Sequence, residues 1–165
     1  MTKPVFNIED AVFAHELSHG DRFGAKLAPI SLHLGAKMLA YNLTEVAPGK
    51  RAFPFHNHHN NEEFFFVLDG KGTLRFGEEE YPVRKGDIIA CPPGGPDVAH
   101  QLVNTGSKEL RYLALSTTID TDVFQYPDSG KFGVVAGCKP GMRPRDAAFG
   151  GFFDEDGTLD YWEGE

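Results

Sequence analysis

Only two cysteines, Cys91 and Cys138, occur in 165 residues, and neither belongs to a C-x-x-C pair. That excludes a disulfide framework, and both are expected to be free thiols. Long apolar runs are also missing: none approaches the roughly 20 residues that span a bilayer. Met1-Thr2-Lys3-Pro4 does not lead into a signal-peptide core, so the cytoplasm is the expected compartment. Basic charge is scarce, with 16 Lys and Arg against 24 Asp and Glu and a net charge of -8. Phosphate backbones and anionic lipid are repelled on average, so neither nucleic acid nor membrane is an expected partner; a local basic pocket for a small anion stays compatible with that balance. Finally, from Gly20 onward Gly and Pro recur every several residues and leave windows too short for ordinary helices.

What is present describes a globular chain of one-domain size: 41% hydrophobic residues, 14 Phe, and only 24% charged residues. Near the N-terminus, Asn7 with Asp10 three residues on, followed by Ala11, Val12, Phe13, Ala14 and Leu17, predicts a short capped helix or helical turn within 7–18. Beyond it the expected strands are 37–46, 52–58, 63–68, 72–76, 87–91, 100–104 and 110–117, most bounded by Gly, Pro, Asn or Asp. Six or more short strands without alternating long helices predict an all-β sandwich or barrel, most simply a jelly roll. Residues 35–118 are the expected barrel, 1–34 an N-terminal extension with edge strands, and 119–165 a C-terminal extension in which the strand signal fades. Composition alone is compatible with a disordered tail over 139–165. Phe149, Phe152, Phe153, Tyr161 and Trp162 instead favour a segment that docks back onto the barrel.

The chemistry concentrates in Phe55-His56-Asn57-His58-His59-Asn60-Asn61-Glu62-Glu63. Residues two apart on a strand project to one face, so His56 and His58 can aim two imidazoles at one point while Asn57 cannot join them. After the turn at Asn60 and Asn61, a returning strand can present the Glu63 carboxylate beside them. His100, after the turn Pro92-Pro93-Gly94-Gly95-Pro96, can add a third imidazole. Three imidazoles and one carboxylate suit a single divalent transition ion, Mn, Fe, Co, Ni or Zn, rather than Ca or Mg. Four protein ligands leave one or two coordination positions open on a five- or six-coordinate ion.

These two linked motifs resemble those of the cupin superfamily. Gly49, His56, His58, Glu63 and Gly70 resemble its first motif with one extra residue after Gly49, and Gly86, Pro92, Gly94, His100 and Asn104 resemble its second. The resemblance covers about half the chain and implies the double-stranded β-helix, or jelly-roll barrel, with the metal on His56, His58, Glu63 and His100. One departure stands out: five residues separate Gly94 from His100 where the family pattern has two, which enlarges the turn before the fourth ligand. Pro48-Gly49, Glu62-Glu63, Val67-Leu68-x-Gly70 and Tyr126-Pro127-Asp128 are similar to a group of bacterial single-domain cupins often left without an assigned activity.

By strand parity His59 and Glu62 point away from the ion and are expected at the surface. Phe65 and Val67 share the face of Glu63, and Leu102 and Asn104 that of His100, as pocket lining or plain core. Phe64, Phe66 and Leu68 face outward, where a second sheet or a second subunit has to cover them, so a homodimer is expected. Cys91 is expected as a small buried residue. The directions of Tyr41, Tyr112 and Gln101 are not fixed, and His15, His19 and His33 carry no spacing signal.

The resemblance implies a metal-dependent enzyme acting on a small polar metabolite, by isomerisation of a sugar or sugar phosphate or by dioxygenation. Isomerisation of a phosphate requires an inward cation such as Arg51, Arg75 or Arg111. The alternative is a non-catalytic module that binds a sugar or another small molecule with the metal as anchor.

Overall fold

The computed structural model describes residues 3–138, 146–157 and 159–164. In chain order its strands are β1 (His15–His19), β2 (Phe23–Pro29), β3 (Leu39–Val46), β4 (Asn57–His58), β5 (Glu63–Asp69), β6 (Lys71–Phe76), β7 (Glu79–Arg84), β8 (Ile88–Cys91), β9 (His100–Val103), β10 (Leu110–Thr117), β11 (Asp122–Tyr126), β12 (Lys131–Ala136) and β13 (Phe149–Asp154). One four-residue helix, α1 (Ser31–Leu34), precedes β3. No helix among the described residues is long and apolar enough to cross a membrane.

The strands form two facing sheets, as expected of a jelly roll. The first runs β1-β2-β3-β10-β5-β8. The second consists of β13-β12-β11-β4 and β7-β6-β9, joined where His56 bridges His100. Between the sheets lies a core that includes Val46, Phe65, Val67, Leu74, Leu102, Leu110 and Tyr112. Alternation along β5 sends Phe65 and Val67 into this core, on the side of Glu63. The sheet change from β5 to β6 occurs at Gly70, whose φ of +83° and approach to the Glu109 carbonyl leave no place for a Cβ.

Part of the cover for the outward face comes from the chain's own N-terminal segment. Phe6, Ile8, Ala11 and Phe13 pack with Leu68, Leu113, Ala28, Ile30 and Leu43 on the outer side of the first sheet. Of the short capped helix or helical turn expected within 7–18, the turn is what forms. Asn7 caps only a 3-10 turn, Ile8–Asp10, accepting from the Glu9 N–H at 3.0 Å. Residues 15–19 instead pair antiparallel with 23–27. A helix this short cannot offset its nucleation cost, whereas strand pairing satisfies the same backbone groups against an existing sheet.

Two other expectations need correction. The strand expected over 52–58 is reduced to Asn57–His58, because Pro54 has no N–H to contribute and the stretch between the bridges at Arg51 and His56 leaves the ladder. The strand signal does not fade after Ile119: β11 pairs with β4 and β12, and β12 with β13. The C-terminal segment thus docks through Phe149–Asp154, while Tyr161 and Trp162 remain 84% and 72% exposed.

Asn104 shows why the second motif ends in an amide. Fully buried, it donates to the carbonyls of Val46 (2.7 Å) and Lys108 (2.8 Å) and accepts from the Gly106 N–H (2.9 Å). Asn104→Ala leaves those three groups without this partner and is expected to cost about 2 to 4 kcal/mol of unfolding free energy. Urea denaturation checks this, and a cost under about 0.5 kcal/mol contradicts the bracing role.

Candidate metal centre

The four expected ligands meet inside the barrel, drawn from both sheets. Glu63 opens β5 in the first sheet, while His56, His58 and His100 come from the seam of the second. Glu63 Oε2 lies 2.8 Å from His100 Nε2, 3.5 Å from His56 Nε2 and 3.9 Å from His58 Nε2. Ligand atoms of His56, His58 and Glu63 all fall within 4.8 Å of one another, and His100 joins them through its bond to Glu63. Asn57 points the other way, as parity requires, and donates to the Gly94 carbonyl at 2.8 Å.

Each imidazole is held from behind. His56 Nδ1 donates to the Pro54 carbonyl at 2.9 Å, His100 Nδ1 to the Val98 carbonyl at 3.2 Å, and His58 Nδ1 to Asp122 Oδ2 at 2.6 Å. A carbonyl or carboxylate behind Nδ1 fixes a proton there and turns Nε2 to the interior, where it donates to Glu63 when protonated and can coordinate an ion when it is not. Three such Nε2 atoms converging beside one carboxylate form the donor set of a cation site, so the residues present fit a divalent transition ion.

The enlarged turn before His100 does not displace it. The additional residues are taken up in a 3-10 turn, Pro96–Val98, and the last of these supplies the carbonyl that orients His100. Reciprocal backbone bonds between His56 and His100, 3.2 and 2.8 Å, then lock the two ligands side by side.

Asp122 is the functional residue that sequence reasoning missed. It is 4% exposed, lies beyond the expected barrel, and also accepts from the Asn60 N–H at 3.1 Å. Its signal was the alternation Asp122-Val123-Phe124-Gln125-Tyr126, which places Asp122, Phe124 and Tyr126 on one face of β11. His59 is exposed and bonds Gln125 at 2.8 Å, and Glu62 is exposed, both as expected. Cys91 is 1% exposed, and burial together with the Glu63 and Glu62 charges pushes its thiol up, so it packs rather than reacts.

Around the ligands is a cavity of about 260 Å³, to which Phe53, Phe65, Tyr112, Phe124, Tyr126 and Phe152 contribute rings. Phe152 reaches it from β13, so the C-terminal segment forms part of the wall. Burial and the Glu63 charge raise the Tyr126 phenol to about 12, and the same two causes raise Tyr112. Both are protonated at neutral pH.

In the metal-free protein, burial opposes charge on Glu63, but bonds from His100 and His56 outweigh it and hold the carboxyl well below its usual range. Burial likewise disfavours charge on His58 and Asp122, yet their mutual bond prevails, raising His58 and lowering Asp122. The raised histidine contributes stability that is present below its unfolded value and lost as pH rises through its folded one. The lowered carboxyl contributes stability that is present above its unfolded value and lost as pH falls through its folded one. The pair is therefore expected to stabilise the metal-free chain most between about pH 4 and 6.5. Thermal melts across pH check this, and Asp122→Asn should remove the maximum. The same substitution is expected to weaken metal affinity by about 10- to 100-fold, measured by competition with a chelator. Unchanged affinity would remove Asp122 from the site.

Residues 42–116 match the cupin domain family. Auxin-binding protein 1 of Arabidopsis thaliana is 33% identical over 103 residues, 57% of this chain and 50% of that protein. The matches span about half the length of the first curated relatives, 46%, 50% and 48%. A solved protein from Acidithiobacillus ferrooxidans, named as a candidate sugar phosphate isomerase, superposes with a TM-score of 0.72 at 26% identity, covering 83% of this chain and 80% of its own. A cupin from Silicibacter pomeroyi, named a sugar phosphate isomerase, gives 0.77 over 96% and 98% of the two chains, at 22% identity that speaks for the fold alone. With both motifs and a two-sheet barrel, the chain carries a cupin domain over residues 42–116 and has the double-stranded β-helix fold of its cupin neighbours.

Proposed function

We propose that this chain is a metal-dependent enzyme acting on a small oxygen-bearing metabolite, with one divalent transition ion held by His56, His58, Glu63 and His100. The observation that carries the proposal is the fixed Nδ1 partner behind each of the three imidazoles, which turns all three Nε2 atoms toward Glu63. A bound ion supplies Lewis-acid polarisation of a carbonyl or hydroxyl oxygen. The chain supplies the rest. Aromatic walls orient the ligand, Asp122 and the two carbonyls hold the imidazoles, and the phenols of Tyr112 and Tyr126 stand protonated in the wall as hydrogen-bond donors. Isomerase-like proton transfer is supported by the 26%-identical Acidithiobacillus ferrooxidans protein and the activity in its name.

One observation favours a second reading, a binding module without turnover. Outside the four ligands, no His, Asp, Glu or Lys among the described residues lines the cavity, so no separate general base stands in its wall.

Loading with Mn, Zn, Ni or Fe is expected to raise unfolding free energy by about 2.7 kcal/mol at a hundredfold excess over the dissociation constant. His58→Ala and Glu63→Gln should abolish that gain, and a chain that takes up none of these ions refutes the metal site. Mass detection of product with the loaded protein, lost in His56→Ala, supports the enzyme. Tight ligand binding with no product supports the binding module. Oxygen uptake without isomerised product turns the chemistry to dioxygenation.

A further inference from the structure

Three arginines from separate segments converge on the outer face of the second sheet. Arg75 lies on β6 opposite Gln101 of β9, and Arg51 forms an isolated bridge with Val103, two residues further along β9. Leu74 and Leu102 turn into the core, so Arg75, Val103 and Arg51 turn to the opposite face. Arg22, exposed in the turn between β1 and β2, is tied to the same place. Its carbonyl accepts from the Arg51 N–H at 3.1 Å, and the Arg51 carbonyl accepts from the Gly24 N–H at 3.1 Å. None of the three lines the cavity around the ligand cluster.

The acids of this neighbourhood serve Arg75. Asp128, from the 3-10 turn after β11, accepts a two-point bond from it at 2.8 and 2.9 Å, and Glu80 stands opposite it on β7. Arg75 also donates to Gln101 at 3.0 Å and lies 4.2 Å over the Phe55 ring, so it is fixed on several sides.

Arg22 and Arg51 have no such partner. Among the described residues neither forms an ion pair, and outside those residues the only Asp or Glu is Glu165. Arg51 Nε is buried without a hydrogen-bond partner among the described residues, its guanidinium 6.0 Å from the Phe23 ring. An enclosed N–H with no acceptor is a cost that a bound acceptor would relieve. Burial first, then the charges of Arg22 and Arg75, lowers Arg51, with Asp128 opposing them. Arginine stays protonated even so, and the like charges remain. In a chain of net charge -8 this is a local reversal of sign.

The charge count selects the occupant. A carboxylate brings one negative charge and is matched by one arginine, as Asp128 is by Arg75. A phosphoryl group carries about −1.5 to −2 charges near pH 7 and three acceptor oxygens, enough for two guanidinium forks.

We propose that Arg22 and Arg51, with Arg75 held beside them by Asp128, form a binding site for a phosphoryl group on the outer face of the second sheet. The site uses none of the four proposed metal ligands, so it stands or falls apart from the enzyme reading.

The test titrates the full chain with inorganic phosphate, glycerol 3-phosphate and acetate by calorimetry in about 0.15 M NaCl, where screening suppresses diffuse surface attraction. It is run on the protein as purified and again after a chelator, which separates phosphate on a metal ion from phosphate on the arginines. Both phosphate compounds are expected to bind with a dissociation constant on the order of 1 mM, unchanged by chelation and at least tenfold tighter than acetate. The tighter of the two identifies a free ion or an esterified group as the occupant. Arg51→Gln should weaken phosphate by about tenfold, and Arg51→Lys, which keeps the charge and loses the fork, by roughly threefold or more. If Arg51→Gln does not fold, Arg22→Gln, a change at an exposed turn residue, should still weaken phosphate at least fivefold. No saturable phosphate binding, acetate as tight as phosphate, or an unchanged affinity in Arg22→Gln overturns the site. Binding abolished by the chelator overturns it as well and leaves the metal centre standing.

Discussion

Glu63 sits inside an apolar barrel, where an ionised carboxylate is costly unless charge and hydrogen bonds surround it. Much of the surrounding structure answers that constraint. Three imidazoles from the opposite sheet converge on its Oε2, and each is held by an acceptor of its own: the Pro54 carbonyl, the Val98 carbonyl and the Asp122 carboxylate. The two sheets therefore meet through a polar cluster as well as through their apolar core. The backbone bridge between His56 and His100 that closes the second sheet is also the element that fixes two of the ligands.

This arrangement explains features that otherwise look like local irregularities. The departure of residues 52–55 from the ladder, enforced by Pro54, presents a free carbonyl behind His56. The lengthened turn before His100 becomes a 3-10 turn whose last carbonyl holds the third imidazole. Strand β11 brings Asp122 behind His58 and Phe124 and Tyr126 into the cavity wall, so a segment outside both motifs completes the centre. Its neighbours β12 and β13 then carry Phe152 to the same wall.

The cavity that results joins a strongly polar floor to apolar sides. Recognition in such a space divides into two parts. The polar floor offers hydrogen bonds and charge, and the rings select the shape and polarity of what reaches it. Among the described residues, Arg75 and Arg111 are engaged with carboxylates outside the lining.

His56, His58, Glu63, His100 and the all-β architecture were legible in the sequence, because strand parity and motif spacing are local properties that survive any arrangement of the remaining chain. The same parity placed Asn57, His59 and Glu62 away from the cluster. Edge strands were expected within 1–34, but nothing in His15–His19, with Leu17 its one aliphatic residue, marks where; pairing with β2 decides it. Asp122, Tyr126 and Phe152 lay beyond the motifs, and their approach to the site depends on β11 pairing with β4 across more than sixty residues of chain. The sequence by itself determined that His56, His58, Glu63 and His100 converge; tertiary structure alone decided what stands behind them and what lines the cavity, because those neighbours come from strands paired across long stretches of chain.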